Sequence, residues 1–374
     1  MNTVTVIYGN HPKKMVQQLI EKTDALNRLR AQDSVLIKPN IVVSRKEWTG
    51  VNTDPRVVEA IVIALKKRGV SRITVGDGAG MGYSASEGFK ICGYHELEDR
   101  YGLRLVDLER DRFVKKPVPI SGPFKTLEIA RSVVESDFLI NVPIMKAHGQ
   151  TKITCSLKNL KGVMPRAMKT RFHGVDLHRA IAQLASVVSV DLIIVDGLKG
   201  DLMSETGRTP VQMERILLGY NPVEVDSVVA DMLGYQPREI SHIFYAAEAG
   251  LGSCELSGIR LLALNRPTKT FRFTAPPHFS KRFPCVIDAQ GACCTCVGNL
   301  IFALERLQEK GMFLKGFRFL VGQKVKFRDK DDLITVAVGQ CAVKNNSADM
   351  IIDSCPPTTG AIMQSVTSEY SRKH

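Results

Sequence analysis

No segment of this chain is apolar for long enough to cross a bilayer. The longest such run, Val57–Leu65, contains Glu59 and ends at Lys66-Lys67, well short of the roughly 20 residues a membrane helix needs. The opening Met1-Asn2-Thr3-Val4-Thr5-Val6-Ile7 lacks the basic start and hydrophobic stretch of a secretory leader, so a soluble, cytoplasmic protein is expected. Low-complexity and Pro/Ser-rich tracts are also missing, while 44% of the 374 residues are hydrophobic. That excludes wholesale disorder and leaves enough core for two compact units. Cysteine is sparse, nine in all, too few for a disulfide scaffold in a chain this long. The thiols are therefore expected to be reduced and available to metal, and most of them lie between Cys285 and Cys355. Acid is in deficit: Lys+Arg 51 against Asp+Glu 38 gives a formal charge of +13. That excess implies an anionic substrate, an acidic protein partner or nucleic acid.

What is present reads as an α/β chain. Val35-Leu36-Ile37, Arg72-Ile73-Thr74-Val75, Phe138-Leu139-Ile140-Asn141-Val142 and Leu192-Ile193-Ile194-Val195 have the continuous β-branched character of buried strands. Between the first two, Thr53-Asp54-Pro55 supplies a helix cap with Pro at the first helical position, and the helix Arg56–Arg68 ends at Gly69. This βαβ unit predicts a mainly parallel sheet with helices on both faces. Lys38-Pro39-Asn40, Gly76-Asp77-Gly78, Pro143 to His148 and Asp196-Gly197 form polar tails after the strands. Ligands collect at the carboxyl ends of such strands, so these tails are expected to face one crevice rather than serve only as turns. A Pro-rich junction at Arg266-Pro267, Pro276-Pro277 and Pro284 separates an α/β domain, 1–280, from a smaller α/β module, 281–374. In the module, a helix Val297–Lys310 ending at Gly311 precedes strands at Phe317–Val321, Leu333–Val338 and Met350–Ile352.

Acid is entirely missing from Phe138 to Val175, a stretch holding Lys146, Lys152, Lys158, Lys161, Arg166, Lys169 and Arg171 with His148 and His173. A solvated surface normally intersperses both signs, so this segment reads as an anion site, with a merely basic loop as the plainer alternative. Lys146 and His148 follow directly on a strand and Pro143 and are the candidate catalytic pair. Lys38, Asn40, Asp77, Gly78, Lys152, Lys158, Asn159 and Asp196 are the candidate groups for an anionic substrate or cofactor. Beyond its opening Phe138, the segment's sole aromatic is Phe172, which disfavours nucleic acid. Gly76-Asp77-Gly78-Ala79-Gly80-Met81-Gly82 follows a strand and precedes a helix beginning near Ser84. Its spacing departs from the dinucleotide fingerprint and no P-loop Lys follows, so phosphate cradle and plain tight loop stand level.

Cys293 and Cys296 form a C-x-x-C pair at the start of an expected helix, while Cys341 and Cys355 each stand just past an expected strand. Parallel strands carry both ends to one edge of the sheet, where the helix start also fits, so four thiolates can converge, with Cys294 as alternate ligand to Cys293. Structural zinc usually takes two close pairs, and a redox dithiol leaves Cys341 and Cys355 unused. An iron–sulfur cluster tolerates wide spacing and often has Pro after its last Cys, as in Cys355-Pro356. A [4Fe–4S] cluster is the favoured reading. Cys92, Cys155 and Cys254 fit better as buried small hydrophobes.

Ile37-Lys38-Pro39-Asn40, Thr53-Asp54-Pro55, Gly76-Asp77-Gly78, Asn141 to His148, Leu157-Lys158-Asn159-Leu160-Lys161-Gly162, Asp196-Gly197 and Asp226 occur in that order. Together, over about residues 34–250, they resemble the family known as domain of unknown function 362. The resemblance implies an association with iron–sulfur modules, in agreement with the cysteine reading, and supplies no activity. The module departs from the close C-x-x-C-x-x-C-x-x-x-C runs of an attached ferredoxin. Its tandem Cys293-Cys294 and distant Cys341 and Cys355 are more similar to cluster-bearing subunits of nickel–iron hydrogenase and respiratory complex I. The expectation is an iron–sulfur redox enzyme or electron-transfer component acting on an anionic substrate, with an acidic redox protein as a further partner. The alternatives are a non-redox lyase or isomerase with a structural cluster, and a zinc-stabilised binding protein.

Overall fold

The computed structural model describes residues 2–44, 49–80, 83–149, 151–173, 175–202, 210–267, 273, 282–292, 294–326, 332–344 and 348–373. Of the sequence features above, Met1, Met81, Gly82, Pro276, Pro277 and Cys293 lie outside the described residues, and the side chains of His173, Cys294 and Thr295 are not described. Contacts divide the chain into one unit of residues 1–172 with 177–275, and a second of residues 173–176 with 276–374.

In chain order the first unit's strands are β1 (Asn2–Tyr8), β2 (Val35–Lys38), β3 (Ile73–Asp77), β4 (Arg104–Asp107), β5 (Phe113–Pro117), β6 (Thr126–Ala130), β7 (Phe138–Asn141), β8 (Lys146–His148), β9 (Lys152–Thr154), β10 (Leu192–Asp201), β11 (Pro210–Gly219) and β12 (Ile259–Ala263). Eight of them form one sheet in the order β12-β1-β11-β10-β7-β2-β3-β4. The run β10-β7-β2-β3-β4 is parallel, as expected from the βαβ pattern. β11 is antiparallel to both β10 and β1, so a hairpin interrupts the parallel order and ties the chain's first strand into the sheet.

Helix formation follows the sequence signals closely. Pro55–Lys67 begins at Asp54, whose side chain accepts the Arg56 N–H, with Pro at the first helical position. Ala85–Ile91 starts after Ser84, whose hydroxyl accepts the Glu87 N–H. One sheet face, bearing Val35, Ile37, Val75, Ile140 and Ile194, packs on Met15, Val16 and Leu19 of helix Pro12–Thr23 and on Val57, Val58, Ile61 and Leu65 of helix Pro55–Lys67. The alternate positions Leu36, Leu139, Ile193, Val195 and Leu217 are equally buried, so the sheet is covered on both sides, as strand alternation requires. Glu59 is accommodated in its apolar helix by Lys13 at 2.6 Å, Arg100 at 2.9 Å and the Tyr101 hydroxyl at 2.8 Å.

The second unit holds a four-stranded sheet of β13 (Val286–Asp288), β14 (Phe317–Val321), β15 (Ile334–Val338) and β16 (Met350–Ile352), all parallel and in sequence order. Helices Cys294–Glu309 and Thr359–Lys373 close its core, in which Val297, Leu300, Leu304, Ile362 and Val366 meet Phe317, Phe319, Val336 and Val338.

Candidate functional site

In the first unit the polar tails of the strands are sewn together at one end of the sheet. The Thr53 hydroxyl donates to the Val142 carbonyl at 2.8 Å and accepts the Asn40 N–H at 2.8 Å, joining the segments after β7 and β2. Asp77, ending β3, accepts the Ile41 N–H at 2.6 Å. Asp196, inside β10, accepts the N–H groups of Asp54 at 2.8 Å and Leu198 at 3.0 Å. The expected common edge therefore contains Lys38, Asn40, Asp77 and Asp196 as one connected polar layer.

Much of that layer faces protein rather than solvent. Lys38 and Asp77 form an ion pair at 2.6 Å, with side chains 0% and 2% exposed. Burial pushes the Lys38 ammonium down and the Asp77 carboxyl up in pKa, and their mutual attraction opposes both shifts. Asn159 completes the cluster: its Oδ1 accepts from Asn40 at 2.7 Å and from Lys38 at 3.3 Å, and its Nδ2 donates to Asn141 Oδ1 at 2.7 Å. Gly162 lies against the pair so closely that a Cβ there would overlap Asp77 Oδ1 and come within 2.7 Å of Lys38 Nζ. Gly78 is similarly enclosed, by Lys169 Nζ, Glu109 Cγ and the Gly162 carbonyl.

Most cations of the acid-free segment find partners outside it. Lys169 and Arg166 meet Glu109 at 2.8 and 2.9 Å, and Lys152 lies 3.7 Å from Glu239 with its ammonium over the Tyr235 ring. Lys161 stands over Phe172 and Arg171 over Phe124. Lys146 is fully buried and donates to the Val51 carbonyl at 2.6 Å. It belongs to the hairpin β8–β9, whose register sets Lys146 opposite Thr154 and His148 opposite Lys152. His148 is buried, and its Nδ1 accepts the Thr151 N–H at 3.2 Å, which assigns the ring proton of the neutral form to Nε2. The half-buried Lys158 acts on His242, whose pKa is lowered well below the usual range by burial and by His178 and Lys158. The rings of His242 and His178 stack at 5.7 Å.

Two buried carboxyls stand apart. Asp226 accepts the N–H groups of Ser156 at 2.7 Å and Leu157 at 3.0 Å, and burial pushes its pKa up to about 7. Asp196 is also pushed up to about 7, first by burial and then by the neighbouring Asp54 carboxylate. Asp196 differs from Asp226 in lining a cavity of about 180 Å³ with Asn10, Asp54, Arg56, Lys199, Gln212 and Glu214. Arg56 holds Asp54 through Nε at 3.0 Å and Nη2 at 2.6 Å. The register of β10 against β11 slips between Gly197 and Lys199, and Glu214 takes φ +48° there, so this bulge turns Glu214 toward the cavity. Sequence reasoning picked out Asp196 and missed Arg56, Lys199, Gln212 and Glu214. Arg56 carried a signal, as the residue after the Thr53-Asp54-Pro55 cap; the bulge carried none.

In the second unit the ends of β15 and β16 and the start of helix Cys294–Glu309 meet around Gly339. A Cβ on Gly339 would lie 3.6 Å from Cys296 Sγ, 3.6 Å from Pro357 Cδ and 3.7 Å from the Ser354 carbonyl. Its φ of +90° suits glycine. The Gln340 N–H donates to the Ser354 carbonyl at 3.3 Å, joining the backbone beside Cys341 to that beside Cys355, and Asn299 Nδ2 donates to the Pro357 carbonyl at 2.8 Å. Cys296 is buried, Cys341 partly so and Cys355 exposed. Among the described residues no three His, Cys, Asp or Glu side chains form a metal-holding group; this set excludes the thiols of Cys293 and Cys294.

Residues 35–231 match the sequence profile of a domain of unknown function, DUF362, over more than half of the chain. The chain belongs to the DUF362 family. The DUF362 segment runs from β2 into helix Pro222–Met232 and so contains the Lys38–Asp77 layer, the β8–β9 hairpin and the lining of the cavity beside Asp196 except Gly9 and Asn10. β1, β12 and residues 276–374 of the second unit, with its cysteines, lie outside it. Thylakoid-associated protein sll1697 of Synechocystis sp. (strain ATCC 27184 / PCC 6803 / Kazusa) is 29% identical over 237 residues, 60% of this DUF362 protein and 70% of the relative. Among solved structures, the lactate racemase apoprotein from Thermoanaerobacterium thermosaccharolyticum aligns with TM-score 0.36 and 16% identity, over 51% of this chain and 50% of that one. Among the described residues no helix is long and apolar enough to cross a membrane.

Proposed function

We propose that this DUF362 protein is an iron–sulfur protein in which Cys296, Cys341 and Cys355, with Cys293 or Cys294, hold a [4Fe–4S] cluster, and that its α/β unit acts on a small anionic substrate. The observation that carries this reading is the meeting at Gly339 of the segments bearing Cys296, Cys341 and Cys355. Thiol donors suit a cluster, and the amide dipoles at the start of helix Cys294–Glu309 favour its negative charge. When bound, the cluster supplies one-electron transfer, which makes a redox enzyme or an electron-transfer component the function best supported. The formal charge of +13 suits both an anionic substrate and an acidic redox partner. Cys285 has no part in the ligand set: it is buried in the unit's core, and burial pushes its thiol up to about 11.

Anaerobic purification tests the proposal. Brown protein with about four iron and four labile sulfide per chain is expected, from four-thiolate ligation. The Cys355→Ala variant loses that iron and Cys285→Ala retains it. Colourless protein containing zinc, or equal iron loss from both variants, overturns the ligand assignment. A second reading rests on the cavity beside Asp196, whose carboxyl near 7 suits acid–base work without electron transfer. A non-redox lyase or isomerase with a structural cluster would turn over equally with the cluster oxidised or reduced, whereas a reductase would not.

A further inference from the structure

The cavity beside Asp196 has an internal charge balance that specifies its occupant. At about 180 Å³ it has the volume of about six water molecules at their liquid packing, near 30 Å³ each. That is the scale of an organic acid of a few carbons. Asp54 is engaged by Arg56, one of its oxygens also accepting the Arg56 N–H at 2.9 Å. Lys199 and Glu214 both line the cavity, and β10 pairs Lys199 directly with Gln212. Apart from Asp196 the lining carries two acids, Asp54 and Glu214, and two bases, Arg56 and Lys199, which balance in number and leave the Asp196 carboxyl to decide the sign of the cavity. Asp196 is 2% exposed and fixed by the N–H groups of Asp54 and Leu198. Its backbone is clamped as well: its N–H donates to the Pro143 carbonyl and its carbonyl accepts the Met145 N–H, both at 2.8 Å. Asp54 and Arg56 act on it electrostatically, the buried Tyr94 hydroxyl feels its charge, and Lys199 and Glu214 line the same cavity.

We propose that this cavity binds a small organic acid, held by Lys199 and Arg56 and hydrogen-bonded by Asp196, with one proton taken from solvent onto the Asp196 carboxyl per molecule bound. With Asp196 ionised, the acids Asp54, Asp196 and Glu214 outnumber Arg56 and Lys199 and repel an anion. With Asp196 protonated, the cavity is neutral and carries an O–H donor that a carboxylate accepts strongly. Asp196 titrates near neutrality, which makes the coupling accessible to experiment. The inference rests on the preceding reading only in taking the substrate to be anionic, and it is independent of the cluster.

Titration calorimetry of the full chain with acetate, glycolate and malonate at pH 6, 7 and 8 tests it, run in two buffers of different ionisation enthalpy. Expected are uptake of up to one proton and an affinity that falls about tenfold per pH unit above about 7, the slope for one linked proton. Lys199→Gln weakens binding at least tenfold while the circular dichroism spectrum is unchanged. Asp196→Asn, where it folds, removes the pH slope. Proton release on binding, affinity that rises with pH, no effect of Lys199→Gln, preferential binding of an amine such as ethanolamine, or no binding by any of the three acids overturns the proposal. Iron measured on the same samples separates the two readings. Iron-replete protein that binds no acid overturns this inference alone, and iron-free protein that binds acid with a proton overturns the cluster alone.

Discussion

Asp196 accepts the backbone N–H of Asp54 at 2.8 Å across 142 positions of sequence. That bond places the cap of helix Pro55–Lys67 against the middle of β10 and puts two carboxyls side by side on the wall of one cavity. Asp196 and Asp226 both titrate near 7 in the folded chain, against about 3.9 for an unfolded Asp. The folded state therefore binds these protons more tightly. Their favourable contribution is complete below about pH 4, is lost as pH rises from about 4 to about 7, and is constant above that. Denaturant midpoints measured from pH 4.5 to 8 should fall through this window, and Asp196→Asn should reduce the slope. A midpoint that rises steadily from pH 5 to 7 would contradict the burial argument.

The Lys38–Asp77 pair should behave as a closed unit. Replacing either partner alone, Lys38→Met or Asp77→Asn, strands the other charge in a site without solvent and should cost about 3–5 kcal/mol. The double variant should cost much less than the sum, because no charge is left buried. Urea unfolding of the four proteins gives the coupling directly; simple additivity would mean that the pair is not formed.

Gly162 should be nearly intolerant of substitution. Its missing Cβ is the space taken by Asp77 Oδ1 and, at 2.7 Å, by Lys38 Nζ, so Gly162→Ala overpacks a rigid polar cluster and should cost about 1–3 kcal/mol or more. Gly316→Ala is the contrast. A Cβ there meets nothing within 4 Å, so the change should be neutral, or stabilise by up to about 1 kcal/mol through the unfolded chain. Equal thermal stability of the two variants would refute the packing account.

Thiol reactivity should separate the cysteines by burial and charge. Cys155 is fully buried, and burial, followed by the charge of Asp226 and the hydrogen bond to it, raises its thiol's pKa well above the usual range. Cys355 is exposed. In native, iron-free protein, a disulfide reagent should modify Cys355 rapidly and Cys155 only on unfolding. Peptide mapping after a short pulse reads the order, and early labelling of Cys155 would mean that its helix Ser156–Asn159 opens readily.

Local features of the fold were legible because they depend on neighbours in sequence. The Thr53-Asp54-Pro55 cap, the Ser84 start and the strands at 35–38, 138–141, 317–321 and 350–352 coincide with the sequence signals. The hairpin β10–β11 and the pairing of β1 between β11 and β12 were not read, because their short runs acquire meaning only from strands far away in sequence. At the site, Asp196 and the tails of β2, β3 and β7 were picked out as one edge, and they are joined there. The destination of the charges was not legible: Lys38 and Lys146 are wholly buried, and Glu109, 57 positions before Arg166, receives both it and Lys169.

By itself, the sequence determined the α/β class, the βαβ order, the caps, and the placing of Cys341, Cys355 and the polar tails just past strands. Those follow from periodicity, β-branching and Pro and Gly geometry, which act over a few residues. Only the tertiary structure decided which charges neutralise one another, which glycines are locked by contact, and that a bulge in β11 completes a cavity around Asp196. Electrostatic energy depends on distance and on exclusion of water, and both are set by residues tens to hundreds of positions apart.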